Sequence, residues 1–517
     1  MQLFTTAKRG IVMPSDYDVI IIGAGLGGLV CGAKLCKEGK KVLILEQHGL
    51  PGGYATTFKR KDFTFEASLH EMDGLNDSDT KKEIFEDLGI YENVELIKVK
   101  ELYRFYNKRV DFVLPDNREE AIKVLSDKFP DERNRITKFF KVLQKTAEEI
   151  NVYSSIQAQG GRINYLLFPI KFPYLMKYGN KTLGKVLDSI IKNEDLKLIL
   201  LGNIHYFAED PYSMAFSYYS IGQDQYFCGA HYFKNGSQSL ADYLAKFISN
   251  HGGEILYNHL AKKIIVENKK AVGVQAVNLS LNNKNQTFKG KYIVANAALP
   301  NVINNMLDVD GIETFRNKIS KLKPSMSAFC IYFGFNKDLA ELGCNNYTTI
   351  ILDEKIKNQK QILVPSDDYN SKMIIFVNYS HLNTNLAPEG KSVGSMFVPD
   401  FIDNWQNLSN EEYKLKKEEL VHLYLDKLDK MYPGIKESVE YYEASTPKTF
   451  ERYTLNPGGS IYGYAQLPSQ AGDNRLNAKL SIPVDNLYFS SAWVLPGGGF
   501  TGTMISGWIC AYEILGN

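Results

Sequence analysis

The segment Asp16–Leu35 reads DYDVIIIGAGLGGLVCGAKL, and KVLILEQHGLPGGYATTF follows it at Lys41–Phe58. Tyr17–Ile22 is a short, nearly unbroken apolar run rich in β-branched residues, the pattern of a strand buried on both faces of a parallel sheet. Gly23-Ala24-Gly25-Leu26-Gly27-Gly28 comes next and fits G-x-G-x-x-G. Leu26, Leu29, Val30 and Ala33 then fall on one face of a helix. A second strand, Lys41–Leu45, ends in Glu46, which lies 18 residues past Gly28. The order has a physical purpose. Gly23 allows the tight turn, Gly25 lets backbone approach a pyrophosphate, and Gly28 lets the helix pack close to the strand. The helix N-terminus offers free N–H groups to the phosphates, and Glu46 stands where a carboxylate accepts hydrogen bonds from an adenosine ribose. A lone glycine triad would also suit a plain turn; strand before, helix after and acid in place point to a bound dinucleotide.

Composition narrows what such a domain is attached to. With 517 residues the chain has room for two or three domains, or for one large enzyme with an inserted region. Its net charge of +1 offers no basic field for nucleic acid. The six cysteines (Cys31, Cys36, Cys228, Cys330, Cys344, Cys510) show no metal-ligand spacing and suit a reducing compartment. None of the histidines stands in an H-x-x-H or carboxylate pattern, so no metal is expected, and no G-x-S-x-G elbow is present. The first 18 residues lack the apolar core of a signal peptide, and no uncharged run reaches the roughly 18 residues of a membrane span. The expectation is a cytoplasmic chain, soluble or peripherally attached to a membrane.

The second glycine pair, Gly52-Gly53, sits just past Glu46. In that position it resembles the flavoprotein amine-oxidase superfamily, in which the pair wraps the pyrophosphate of FAD. Within it, the chain is most similar to phytoene desaturases, carotenoid cis–trans isomerases and retinol saturases. The resemblance runs through FTFEASLHEMDGL (Phe63–Leu75), where Glu66 and His70 match and Ser68 replaces a glycine. It continues through Phe112–Phe140, His231–Ala276 and IVANAALP (Ile293–Pro300). It is most informative in ERYTLNPGGSIYGYAQ (Glu451–Gln466) and NLYFSSAWVLPGGGFTGTMISGWICAYEIL (Asn486–Leu515). There a strand at Leu487–Ala492 meets the turn Pro496-Gly497-Gly498-Gly499, and a helix begins near Phe500. The resemblance implies that this helix N-terminus faces the flavin ring and stabilises its reduced anion, within the ~0.3–2 kcal/mol of dipole effects.

By that resemblance the cofactor contacts are Gly23, Ala24, Gly25, Leu26, Gly28, Glu46, Gly52, Gly53 and Tyr54 near the N-terminus. Ala261 and Asn296 follow in the return segments, then Ala492, Pro496, Gly497, Gly498, Gly499 and Thr501. Two departures stand out. Val494-Leu495 replaces a Thr-His pair usual in phytoene desaturases, and Tyr54 replaces an arginine, with Lys59 or Arg60 as candidate substitutes.

The implied fold is α/β: a discontinuous Rossmann-like FAD-binding domain of glutathione-reductase type with an inserted α+β substrate domain. Residues 13–75, 232–300 and 441–517 would form the first, and 76–231 and 301–440 the second. Local signals agree: Ser409–Glu412 is a capping box opening a long charged helix that stops near Pro433, and Lys323–Phe335 is strand-like.

Four features bear on the substrate. NYLLFPIKFPYLMKYG (Asn164–Gly179) is apolar and aromatic with Lys171 and Lys177; it suits either a foot in a membrane interface or, more commonly, a helix pair lining a core. His205–Phe233 is dense in aromatic residues, enough to line a tunnel for a long apolar chain or to fill a core. His70, with Glu71 beside it, is placed to give a proton, or to be a hydrogen-bonded loop residue. Tyr462 and Tyr464 stand where a phenol could face the ring or pack around the glycines. The resemblance, with these features beside it, implies FAD-dependent desaturation, saturation or cis–trans isomerisation of a long apolar polyene, an isoprenoid or another unsaturated lipid. Two alternatives share the FAD half: an amine or amino-acid oxidase, which needs a charged substrate anchor, and a non-catalytic carrier of lipid groups.

Overall fold

The computed structural model describes residues 16–77, 79–158, 165–281, 283–362 and 367–516. Tyr17–Ile22 is the central strand of a seven-stranded sheet. It pairs in parallel with Val42–Leu45 on one side, Val19 opposite Val42, and with the strand Lys284–Ala295 on the other. Glu254–Leu256 extends the parallel array beyond Val42–Leu45, and Leu487–Phe489 pairs in parallel with Ile293–Ala295. The N-terminal part of the Lys284–Ala295 strand continues into an antiparallel ladder with Lys270–Asn278 and His259–Glu267. Val19, Ile20 and Ile21 are wholly buried. Full burial of such a side chain stabilises by about 1.5–3 kcal/mol. Helices Leu26–Lys37 and Gly499–Leu515 pack on this sheet. They touch backbone to backbone, since a side chain on Gly507 would stand 2.2 Å from the carbonyl of Gly27. This contact holds the two N-termini side by side.

The second sheet also has seven strands, in the order Val439–Ser445, Ser327–Phe335, Ser392–Asp400, Ile374–Asn378, Thr348–Ile351, Glu101–Tyr106 and Asp111–Pro115. All its pairings are antiparallel except that of Thr348–Ile351 with Glu101–Tyr106. Ser327–Phe335 and Ser392–Asp400 are buried along their whole length. The helix Asn410–Met431 begins with the reciprocal capping pair Ser409 and Glu412.

Two details differ from the sequence expectation. Residues 441–445 pair along Ser327–Phe335, so they belong to the second sheet and not to the nucleotide-binding unit that was to start at 441. The apolar stretch after 164 does not turn its large side chains inward as a core helix pair would. Leu166, Ile170 and Met176 are exposed, while Phe172 and Tyr178 are buried.

Candidate functional site

The first glycine loop and the second are joined. The Gly52 N–H donates to the Ala24 carbonyl at 2.8 Å, and Gly25 and Gly52 form a parallel bridge. Gly52 has φ +122°, and a Cβ there would lie 2.1 Å from the Ala55 carbonyl oxygen. Only glycine permits that crossing. The Asn296 amide donates to the carbonyls of Gly23 at 3.0 Å and Gly25 at 3.4 Å, pinning the turn from the neighbouring strand. Glu46 is buried and accepts from the Ala24 N–H at 2.7 Å and from the His48 N–H at 2.8 Å.

These groups line one end of a cavity of about 910 Å³. Of the residues expected to hold cofactor, Gly23, Gly25, Leu26, Glu46, Gly52, Gly53, Tyr54, Ala261, Asn296, Ala492, Pro496, Gly498, Gly499 and Thr501 lie on its wall. Ala24, Gly28 and Gly497 stand behind it: Gly28 packs on the Gly23 carbonyl, and Gly497 on the Gln466 amide. The helices Leu26–Lys37 and Gly499–Leu515 both open into this space, with no capping side chain and no acidic residue in either first turn. Two helix N-termini with no acidic residue of their own, one beside the Glu46 carboxylate and the other tied to Asp73 only through the Thr501 hydroxyl, are a donor set that suits an anionic dinucleotide. The two departures sit differently. Val494 is buried off the cavity wall, whereas Tyr54 is on it, its ring against Phe450 at 5.9 Å. The candidate substitute Arg60 is engaged by Glu443 at 2.9 Å, and Lys59 is exposed.

The chain matches the family model described as flavin containing amine oxidoreductase over residues 26–515. It belongs to that family. Membership makes FAD its cofactor and makes it an FAD-dependent oxidoreductase by class, and the cavity fits FAD through the two uncapped helix ends and Glu46. Over 98% of its length the chain is 27% identical to the chloroplastic prolycopene isomerase of Daucus carota, covering 81% of that protein. It is 25% identical over 98% of its length to all-trans-retinol 13,14-reductase of Danio rerio, covering 88% of it. Among solved structures it resembles cyclohexylamine oxidase from Brevibacterium oxydans in fold. The TM-score is 0.61 at 14% identity, over 97% of this chain and 98% of the other.

The other end of the family cavity is aromatic. Tyr206, Phe207, Tyr218 and Tyr226 line it, whereas Phe216, Tyr219, Tyr232 and Phe233 from the same stretch fill the core. The aromatic stretch therefore serves as both wall and core. The loop Ser68–Glu71 enters here, held by the buried carboxylate of Glu66, which accepts from Ser237 at 2.8 and 2.7 Å and from Tyr232 at 2.8 Å. Tyr379 donates to the Leu69 carbonyl at 2.9 Å, and Tyr347 to that of His70.

Three candidate chemical groups meet different environments in this end of the site. His70 is buried, its Nδ1 3.1 Å from the Tyr206 hydroxyl, and burial pushes its pKa down to about 3. The imidazole is neutral near pH 7 and hydrogen-bonded, which matches the second of the two roles the sequence left open for it. Glu71 is buried too, and burial pushes its carboxyl up to about 8; the hydroxyls of Thr348 and Tyr206 offset part of that effect. Thr348 donates to Oε2 at 3.2 Å, while Oε1 has no aligned hydrogen-bond partner among the described residues. Tyr462 lies on the wall and donates to the His205 carbonyl at 3.3 Å; burial raises its phenol well above the ordinary range.

A further cluster on the wall was not legible beforehand. Thr501 donates to Asp73 at 2.5 Å, and the wholly buried ammonium of Lys81 lies 3.7 Å from Asp73 and 2.6 Å from Asp79. Asp79 caps the helix Thr80–Asp87, a signal visible in DTKKE, but nothing in that motif says that Lys81 turns inward.

Proposed function

We propose that this FAD-dependent oxidoreductase acts on the C=C bonds of a long apolar polyene, with Glu71 as the group that holds and moves the proton. The observation that carries the reading is the Glu71 carboxyl: buried in the cavity wall, kept protonated near pH 7 by that burial, and met there by the hydroxyls of Thr348 and Tyr206. A neutral carboxylic acid in a dry site is a proton donor matched to neutral pH. Bound FAD supplies the two-electron hydride chemistry, and the protein supplies orientation and water exclusion.

The residues divide that work. Tyr206, Phe207 and Tyr226 form a wall that fits a planar apolar chain and keeps water from the reacting carbons. Neutral His70, bonded to Tyr206, holds that ring in place beside Glu71. For saturation Glu71 gives its proton to a polyene carbon; for isomerisation it gives the proton and takes one back from the same chain; for desaturation its ionised form accepts one. The relatives support work at such bonds, one being a prolycopene isomerase and the other a retinol 13,14-reductase. An amine or amino-acid substrate would need an ion on the wall to hold its head group. Among the described residues the two Lys and Arg side chains on the wall are engaged, Arg60 by Glu443 and Lys81 by Asp79 and Asp73, and the carboxylates of Glu46 and Glu66 are taken up by N–H and hydroxyl donors.

The test is anaerobic incubation of the reduced and the oxidised holoprotein with carotenoids, retinoids and primary amines, following flavin absorbance and product geometry. Flavin turnover or isomer conversion with polyenes supports the proposal. Bleaching by amines alone would overturn it.

A further inference from the structure

The stretch from Asn151 to Leu187 contains no aspartate or glutamate and five basic residues, Arg162, Lys171, Lys177, Lys181 and Lys185, in a chain whose net charge is +1. The same stretch carries three of the four most exposed large apolar side chains among the described residues: Leu166 at 87%, Ile170 at 77% and Met176 at 61%. They are not loose. Beneath them Phe168 and Phe172 pack on each other at 5.1 Å, and the Tyr153 ring meets both edge-on at 5.9 and 5.8 Å. The Leu175 N–H donates to Glu149 at 2.8 Å, which fixes the helix Pro173–Tyr178 to the long helix Arg133–Ala158. An aromatic base thus presents an apolar crest in a segment whose Lys171, Lys177 and Lys181 are all exposed, the last two over the ring of Tyr178. Such a crest left in water is costly, and a monomer rarely keeps one without a partner.

We infer that this crest seats in the headgroup region of a bilayer containing anionic phospholipids. Leu166, Ile170 and Met176 enter the acyl boundary while the lysines meet phosphate, the division of labour of an interfacial anchor. Charge decides between occupants: a second copy of this chain would bring the same lysines against one another, whereas an anionic surface complements them. No helix among the described residues is long and apolar enough to cross a membrane, so the contact is peripheral. The place of the crest also links it to the cavity. Asn151, exposed and two residues before Tyr153, lies on the cavity wall, so the cavity reaches the surface on the helix that carries the crest. A water-insoluble polyene would pass from lipid to the site there; this last step rests on the proposed function, the docking itself does not.

The experiment is flotation of the FAD-loaded protein with vesicles of phosphatidylcholine alone or mixed with phosphatidylglycerol. The expected result is flotation with the mixed vesicles that falls as salt rises. The paired change Leu166→Glu with Ile170→Glu should cut the bound fraction about tenfold or more. Flavin content and melting temperature should stay unchanged, since both positions are exposed. Lys171→Glu with Lys177→Glu should weaken binding to the anionic vesicles and leave the weak binding to neutral ones unaltered. Absence of flotation, equal flotation with both vesicle types, or a dimer in solution that Leu166→Glu dissolves would each overturn the inference. None of these outcomes touches the flavin assay above, so the two readings fail separately.

Discussion

Replacing Glu71 with glutamine keeps the size of the side chain and removes its ability to ionise. In the wild type the carboxyl has a folded-state pKa of about 8 against an ordinary value of 4.5. The sign follows from which state binds more protons. Between those values the unfolded chain has released the proton and the folded chain has kept it, so stability falls as pH rises. The benefit is fully present below 4.5 and is lost as pH rises through 8. From about pH 5.5 to about pH 8, integrating the two titrations gives a loss of about 3 kcal/mol at 1.36 kcal/mol per pK unit. Glu71→Gln carries none of that dependence. Equilibrium urea unfolding of both proteins at the two pH values, read as the difference of differences, isolates it from every other titrating group. The same substitution should lower turnover on a polyene about 100-fold. It should also abolish a decline in wild-type rate above pH 8. If both proteins lose stability in parallel over that range, Glu71 is already ionised in the fold and cannot be the proton donor.

Other perturbations test other parts of the site. Glu46→Ala strips acceptors from the Ala24 and His48 N–H groups, at about 1–3 kcal/mol for each buried group left unpaired; the flavin-to-protein absorbance ratio after dialysis should drop, and an unchanged ratio would remove Glu46 from the cofactor site. Gly52→Ala places a Cβ against the Ala55 carbonyl at φ +122°, so flavin retention and melting temperature should both fall, by about 1–3 kcal/mol of backbone strain or more. His70→Asn should reduce turnover without freeing FAD and without removing any pH-dependent limb near 6.5, because burial already keeps the ring neutral down to about pH 3; loss of such a limb would restore the histidine as the donor.

What could be read in advance divides along the range of the forces involved. The strand Tyr17–Ile22, the uncapped helix at Leu26 and the acid at Glu46 are set by backbone rules acting within about thirty residues, and each appears where those rules put it. The second strand–glycine–helix unit was legible for the same reason, with its helix starting at Gly499. The edge strand Val439–Ser445 straddles the boundary expected at 441, because its partner, Ser327–Phe335, lies more than a hundred residues away and no local signal names it. Glu71 and His70 show the deeper limit. As residue types, histidine is the natural donor at neutral pH and glutamate is not. Burial reverses the order, because desolvation penalises whichever form is charged: it strips the proton from the imidazole and keeps it on the carboxyl. That reversal needs the three tyrosines, 206, 347 and 379, that close over the Leu69–Glu71 loop from other parts of the chain. The crest at Leu166–Met176 obeys the same logic with the opposite sign. Its composition alone favoured a core, and only the side on which Phe172, Tyr178 and Tyr153 pack decides that the leucine, isoleucine and methionine face outward. In both places the chemistry lies in which way a side chain is turned, and that is fixed by contacts between segments far apart in the chain.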